Sequence, residues 1–201
     1  MTNPERILRE LDRHLRRPTR LILFGRAALA LGFEPPDPTF AATRDVDMIL
    51  PSVDMASIES DDQFWEAVDQ TNRELEPSGL YITHLFGDDQ IVIRPDWLDR
   101  IVPITFGLQQ ARLFRPASLD LLMTKMMRND PQELEDIRFL LRREQISRCD
   151  IEGAVRTARV PDLPELRTIF AEMVPLIEAL ADTIHLIRNS ATETSGCTTP
   201  E

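Results

Sequence analysis

Asp45 and Asp47 stand two residues apart in TRDVDMIL (43–50), a segment whose alternating apolar positions suit a β-strand. In a strand, residues i and i+2 point to the same face, so the two carboxylates lie side by side. Such a pair is unfavourable unless a cation or strong donors neutralise it. A hard divalent ion such as Mg²⁺ fits, because it takes oxygen ligands and is commonly held by one or two carboxylates together with substrate phosphates. Earlier in the chain, Gly25 breaks the apolar run RLILF (20–24) and precedes RAALALGF (26–33), which suits a short helix. A glycine at that turn lets a phosphate approach the backbone, and the helix start offers free N–H groups and its positive dipole end. An Asp-x-Asp strand alone is equally at home as a solvated edge. The full order of strand, glycine, helix, loop and Asp-x-Asp strand is what points to metal–phosphate chemistry.

Composition adds a second candidate. The 23 basic residues comprise 22 arginines and one lysine, Lys125. A compact ammonium with rotatable donors reaches a phosphate where a planar guanidinium does not. Lys125 falls on a helix spanning 118–128, among Met123, Met126 and Met127. That placement favours a partly buried role over a merely solvated one. On the next helix (131–144), Glu133 and Asp136 share a face at i, i+3. Asp136 reads either as one of the solvated acids pairing with Arg138 to Arg143 or as a functional carboxylate. His84, inside LYITHLF (80–86), reads first as a strand histidine hydrogen-bonded within the fold. His14 and His185 sit on amphipathic helices and carry no signal. Neither Cys149 nor Cys197 has a partner at zinc-ligand spacing. Trp97 reads as a packing anchor.

The elements that must hold these residues follow from periodicity and breakers. A helix over 4–17 carries an apolar stripe of Ile7, Leu8, Leu11 and Leu15, with Arg6, Arg9, Arg13 and Arg16 on another face. That arginine stripe could hold a polyanion, but a solvated outer face is the preferred reading. Strands are expected at 20–24, 45–50, 101–105 and 111–115, and a hairpin at 80–86 and 90–94 about Gly87-Asp88-Asp89. A helix is expected over about 60–76. Beyond Pro116 the pattern is helical: 118–128, 131–144, about 150–159, and 164–188 with a kink at Pro175. Residues 1–115 thus form an α/β half, 116–189 a helical half contributing Lys125 and Asp136, and 190–201 an expected disordered tail.

With 201 residues and 42% hydrophobic composition, the chain can bury a real core, which rules out global disorder. No apolar run is long enough to span a bilayer. The charged opening MTNPERILRELDRHLRR does not read as a secretory signal, so a cytoplasmic location is expected. A net charge of −11 argues against a generic nucleic-acid coat. The charge is uneven, however. Residues 1–32 hold seven arginines against three acids, a net of +4, leaving −15 on the rest.

LILFGRAALALGF followed by TRDVDMIL resembles the nucleotidyltransferase superfamily, in particular its AbiEii-like and MenT-like branch. The pattern there is a hydrophobic strand, Gly-Gly or Gly-Ser, a short helix, and an Asp-x-Asp strand preceded by Arg and Thr. RPASLDLLMTKMMRNDPQELEDIRFLL (115–141) resembles that branch's second block, and the likeness covers most of residues 20–145. It implies an α+β fold, a nucleotidyltransferase-like mixed sheet with flanking helices, followed by a helical C-terminal half. It also implies that Asp45 and Asp47 bind Mg²⁺ and the nucleotide triphosphate. Gly25, Arg26, Thr43, Arg44 and Lys125 would contribute to NTP binding, and Asp136 would assist catalysis. The acceptor hydroxyl implied is that of a tRNA 3′ end in a toxin–antitoxin system, with a cognate antitoxin as partner. A protein or a small-molecule acceptor is the other option.

Two departures from the pattern bear on activity. Arg26 stands where many members have a second Gly or Ser; it either binds the γ-phosphate or blocks the loop. The strand 80–86 lacks the third carboxylate found in many nucleotidyltransferases, with Asp96 and Asp136 as substitutes. Two other functions stay open: a catalytically degraded binding or antitoxin-like module, and transfer to a small molecule such as an aminoglycoside, which needs an acidic pocket.

Overall fold

The computed structural model describes residues 1–194, with side chains through residue 188. The chain runs α1 (Asn3–His14), β1 (Thr19–Phe24), α2 (Gly25–Leu31), β2 (Asp45–Leu50), α3 (Met55–Glu59), α4 (Asp62–Leu75) and β3 (Tyr81–Gly87). It continues with β4 (Val102–Ile104), β5 (Ala111–Arg115), α5 (Ser118–Lys125), α6 (Pro131–Glu144), α7 (Arg148–Thr157) and α8 (Pro164–Thr194). The strands form one mixed sheet in the order β3-β2-β1-β5-β4. β1 is antiparallel to β2 and parallel to β5; β2 is parallel to β3, and β4 is antiparallel to β5.

Alternation along the strands sorts the side chains onto two faces. Leu21, Leu23, Val46 and Met48 join the main core, which runs on through α1, α2 and α4 into the helices of the second half as far as Ala181. Ile22 and Ile49 point the other way, into a small cluster with Ile91, Ile93 and Trp97. Asp45 and Asp47 have the parity of Ile49, so they lie on this thinly covered face.

The cover is where the sequence reading fails. Residues 90–94 do not pair with β3 as a hairpin. The backbone N–H of Gln90 donates to the Gly87 carbonyl (3.0 Å), and the Gln90 side-chain carbonyl accepts from Gly87 N–H (3.1 Å). This tight turn throws the chain across the sheet face. Ile91, Val92 and Ile93 are all buried, and Ile93 bridges to Arg159 of the helical half. An alternating strand buries every second residue; three consecutive buried residues need partners on both sides, which the sheet edge does not offer. Trp97 is the expected anchor, buried with its indole N–H donating to Asp88 (3.1 Å).

α1 starts on a capping box: Glu5 N–H donates to Thr2 Oγ1 (3.3 Å) and Thr2 N–H to Glu5 Oε2 (2.8 Å). It stops at His14, short of the expected Arg17, because Leu15 is already extended ahead of Pro18. The arginine stripe is a clothed outer surface. Arg6 donates to Ser78, Arg9 lies 4.6 Å over the Phe106 ring, and Arg13 and Arg16 pair with Glu10 and Glu66. α8 continues through Pro175 and past residue 188 to Thr194, so residues 190–194 are helical; the rest of the expected tail lies outside the described residues.

Asp12 ties α1 to the start of β5. Its carboxylate accepts the backbone N–H groups of Gln109, Gln110 and Ala111 at 2.8, 2.8 and 2.7 Å. Burial pushes its pKa up, but these three donors outweigh that and hold it below the ordinary range. A depressed folded-state pKa contributes stability that is present above the unfolded value and is lost as pH falls through the folded one. Asp12→Asn is therefore expected to cost about 2 kcal/mol at pH 7, and the difference from wild type should vanish as the pH falls through the acid range. Urea titrations at stepped pH check this.

Candidate active site

The elements converge at the open end of the thinly covered face. β1 pairs with β2 so that Phe24 lies opposite Asp47, and the turn into α2 passes directly over that carboxylate. Gly25 makes the turn at φ +63°, and a Cβ there would stand 3.1 Å from Asp47 Oδ2. The glycine is required both for backbone sign and for room. Gly25→Ala should cost about 1–2 kcal/mol and push the carboxylate aside. A lowered melting temperature together with weakened Mg-NTP binding would register both effects.

Asp47 is oriented from β3. The β2–β3 register slips between Val46, opposite Ile82, and Met48, opposite Leu85. Thr83 and His84 therefore both oppose Asp47, a bulge in a parallel pair. Thr83 Oγ1 donates to Asp47 Oδ1 (2.8 Å), and His84 Nδ1 lies 3.2 Å from the same oxygen. The His84 ring stacks on Phe86 at 5.2 Å. Regular alternation would send Thr83 and His84 to opposite faces. Asp45 is held separately, by the Thr43 hydroxyl at 3.1 Å. Among the described residues, neither aspartate pairs with an arginine or a lysine.

The opposite wall comes from the helical half. Lys125 ends α5, where its charge meets the negative end of the helix dipole. Its side chain is 5% exposed, and Nζ lies 2.7 Å from Asp136 Oδ2 and 2.7 Å from Glu133 Oε2. The Glu133 contact is close but off the hydrogen-bond axis, so that oxygen is not satisfied. Burial raises the Glu133 pKa above the carboxylate range, with Lys125 only partly offsetting it. Asp136 is fully buried and also takes Arg26 Nε at 3.1 Å.

Between the walls lies a cavity of about 520 Å³. Gly25, Arg26, Thr43, Arg44, Asp45, Asp47 and Lys125 all line it. Asp136 does not; it sits behind the surface, joining Arg26 to Lys125. Asp96 is elsewhere, paired with Arg100 beside another cleft, and so is no third carboxylate here. Arg26 neither fills nor closes the loop, because Asp136 holds its base and its guanidinium lies 5.4 Å over the Phe40 ring.

Sequence reasoning assigned no site role to His84, Phe86, Ile91, Thr124, Arg128 or Glu133, yet all six line the cavity. Glu133 and Arg128 were within reach, at helical spacing from Asp136 and Lys125. His84 and Ile91 were not, since a bulge and a chain crossing leave no periodic trace.

This geometry accompanies a match to a known family. Residues 5–153 match the family described as "Nucleotidyltransferase of unknown function (DUF6036)". The chain belongs to that family. The matched span holds every cavity-lining residue and Asp136. It supports the nucleotidyltransferase superfamily as a whole rather than the AbiEii- and MenT-like branch. No curated protein and no solved structure matches the chain. Among the described residues of this nucleotidyltransferase, no helix is long and apolar enough to cross a membrane.

The residues present fit Mg²⁺ on their own chemistry. Asp45 and Asp47 are two oxygen donors on one strand face, bordering a cavity and, among the described residues, paired with neither an arginine nor a lysine.

Proposed function

We propose that this nucleotidyltransferase binds an NTP with Mg²⁺ in the cavity and transfers the nucleotide to an acceptor hydroxyl, releasing pyrophosphate. The observation that carries this reading is the opposition of the two walls, a carboxylate pair on β2 facing the chain's lone lysine across one cavity. Asp45 and Asp47 would hold the metal, which when bound supplies charge neutralisation and lowers the pKa of an oxygen nucleophile. Thr83 and His84 orient Asp47, and Thr43 orients Asp45. Backbone N–H groups at the start of α2, with Arg44 and Arg128 at the rim, hold phosphate oxygens. Lys125 neutralises triphosphate charge in a setting that excludes most water, where an ammonium counts for more than in solvent. Asp136 is a positioning residue: it fixes Lys125 and Arg26 and does not touch substrate. During transfer the acceptor oxygen gives up its proton to water and bonds to the α-phosphorus while the bond to the departing pyrophosphate breaks.

The acceptor we favour is an RNA 3′ hydroxyl, the tRNA end implied by the sequence resemblance. A groove of about 580 Å³ beside the cavity shares Arg26 and Thr39 with it, and Arg138, Arg142 and Arg143 line it against Asp37 and Glu135. This is local positive charge on a chain of net −11, the condition for a polyanionic acceptor. A cationic aminoglycoside fits less well, because four of the seven charged residues lining the cavity are Arg26, Arg44, Lys125 and Arg128. If the chain acts as a toxin, it needs a cognate antitoxin partner.

The test is incubation of the purified chain with α-labelled NTPs, Mg²⁺ and total RNA, alongside calorimetry with Mg-NTP. Label should enter RNA, and Lys125→Ala should lose NTP binding. Lys125→Arg should weaken binding by about tenfold or more, because the planar fork keeps the charge but not the reach. No NTP binding by wild type would favour the degraded module. Binding with label passing to no RNA, protein or small molecule would remove the transferase reading.

A further inference from the structure

A second cluster of ligand-type side chains lies away from the cavity, where α1 packs on α4. Glu10 and His14 are four residues apart on α1 and share a helix face; Glu74 comes from α4. His14 Nε2 stands 3.5 Å from Glu10 Oε1 and 3.5 Å from Glu74 Oε1. One donor atom from each of the three residues lies within 4.8 Å of the others, the one such group of three or more among the described residues. None of the three lines the nucleotide cavity.

The decisive feature is Nε2 itself. It is shut off from solvent and makes no hydrogen bond. Its nearest acceptors are the two carboxylates, each 3.5 Å away and outside hydrogen-bond geometry; a buried nitrogen left so is costly, and native structures seldom leave one without an explanation. The two carboxylates beside it are meanwhile held in place from outside. Arg13 Nη1 donates to Glu10 Oε2 (2.7 Å), which leaves Oε1 facing the histidine, and Gln70 Nε2 donates to Glu74 Oε1 (2.7 Å). Outer partners that orient ligating carboxylates are a usual companion of metal sites.

We propose that Glu10, His14 and Glu74 form a zinc site that clamps α1 to α4. One imidazole nitrogen and two carboxylate oxygens are three of the four donors that Zn²⁺ takes in tetrahedral sites. Glu74, whose side chain is 42% exposed, opens the cluster to water as the fourth. The imidazole selects zinc over Mg²⁺ and Ca²⁺, which favour all-oxygen sets. The ion would supply the missing partner of Nε2 and offset two adjacent carboxylates. It would bind only the folded chain, because Glu10 and Glu74 are brought together by tertiary packing, and so would raise the melting temperature. The site is independent of the nucleotidyltransferase reading.

The test uses the full chain, stripped with a chelator and titrated with zinc chloride or magnesium chloride in a calorimeter, with thermal melts in parallel. One Zn²⁺ per chain should bind and raise the melting temperature, while Mg²⁺ does neither at this site. His14→Ala and Glu74→Gln should each weaken zinc binding by about tenfold or more and abolish the thermal shift. Glu74 is 42% exposed on its side chain, so its amide variant tests the site without removing a core contact. The double variant Asp45→Asn with Asp47→Asn should keep both effects, which separates this site from the cavity. The proposal is overturned if wild type takes up no stoichiometric zinc, as it would if His14 is an imidazolium bridging the two glutamates. It is equally overturned if Glu74→Gln binds zinc as well as wild type, or if binding disappears with the cavity aspartates.

Discussion

Asp47→Asn is expected to lower nucleotide transfer by about a thousandfold, the effect of losing roughly 4 kcal/mol of transition-state stabilisation. The substitution keeps the shape of the side chain and an oxygen that can still accept from Thr83 (2.8 Å in the wild type). What it removes is the charge. Asp45 and Asp47 share one face of β2, and neither has an arginine or lysine partner among the described residues. Neutralising one should therefore relieve repulsion in the free protein, and the melting temperature should hold or rise while activity collapses. That opposition is the diagnostic. A structural aspartate would lose stability and activity together, and a solvated one would lose neither. Label-transfer assays and thermal melts on the same preparation decide between them. Wild-type rates in the variant would remove the carboxylate pair from the mechanism.

The second large effect lies in a buried ion pair that positions the wall carrying Lys125. Asp120, in the first turn of α5, is fully buried and takes Arg94 through Nε (2.9 Å) and Nη2 (2.6 Å), as well as the Arg94 backbone N–H (3.2 Å). Arg94 closes the segment that crosses the thinly covered face. The pair therefore fastens the cover of that face to the helix that ends in Lys125. Removing Asp120 leaves the Arg94 guanidinium, only 9% exposed on its side chain, without its bidentate carboxylate. Asp120→Ala is expected to destabilise the fold by about 3–5 kcal/mol, read from urea denaturation. Replacing both partners with apolar residues, Arg94→Met with Asp120→Leu, should recover most of that loss, because it removes the stranded charge along with the pair. If the double variant is as unstable as the single, the contribution of the pair is geometric and the electrostatic account fails.

Lys125 and Asp136 show how composition and tertiary structure divide the work. One lysine among 22 arginines marks position 125 without any coordinates. What Asp136 does could not be read that way. On the sequence it is one of several acids on an amphipathic helix, as plausible in solvent as at a site. In the fold it is 0% exposed and bonded to both Lys125 and Arg26, whose partners come from α5 and from the turn after β1, 110 residues upstream.

The local signals carried far. Strand alternation placed Asp45 and Asp47 on one face, the glycine break placed the turn, and helical spacing predicted the elements of the second half to within a few residues. These features are decided by neighbours within a few residues, and periodicity reports them directly. Tertiary structure alone decided the rest. A register slip of one residue in β3 turned both Thr83 and His84 toward Asp47, although His84 reads as an ordinary strand histidine. The segment 90–94 has the apolar make-up of a strand, but it crosses the sheet face because its burial is supplied by Ile22, Ile49 and the helical half rather than by an edge. Both outcomes depend on contacts between residues far apart in the chain, and no local period encodes which of two apolar surfaces a segment will meet.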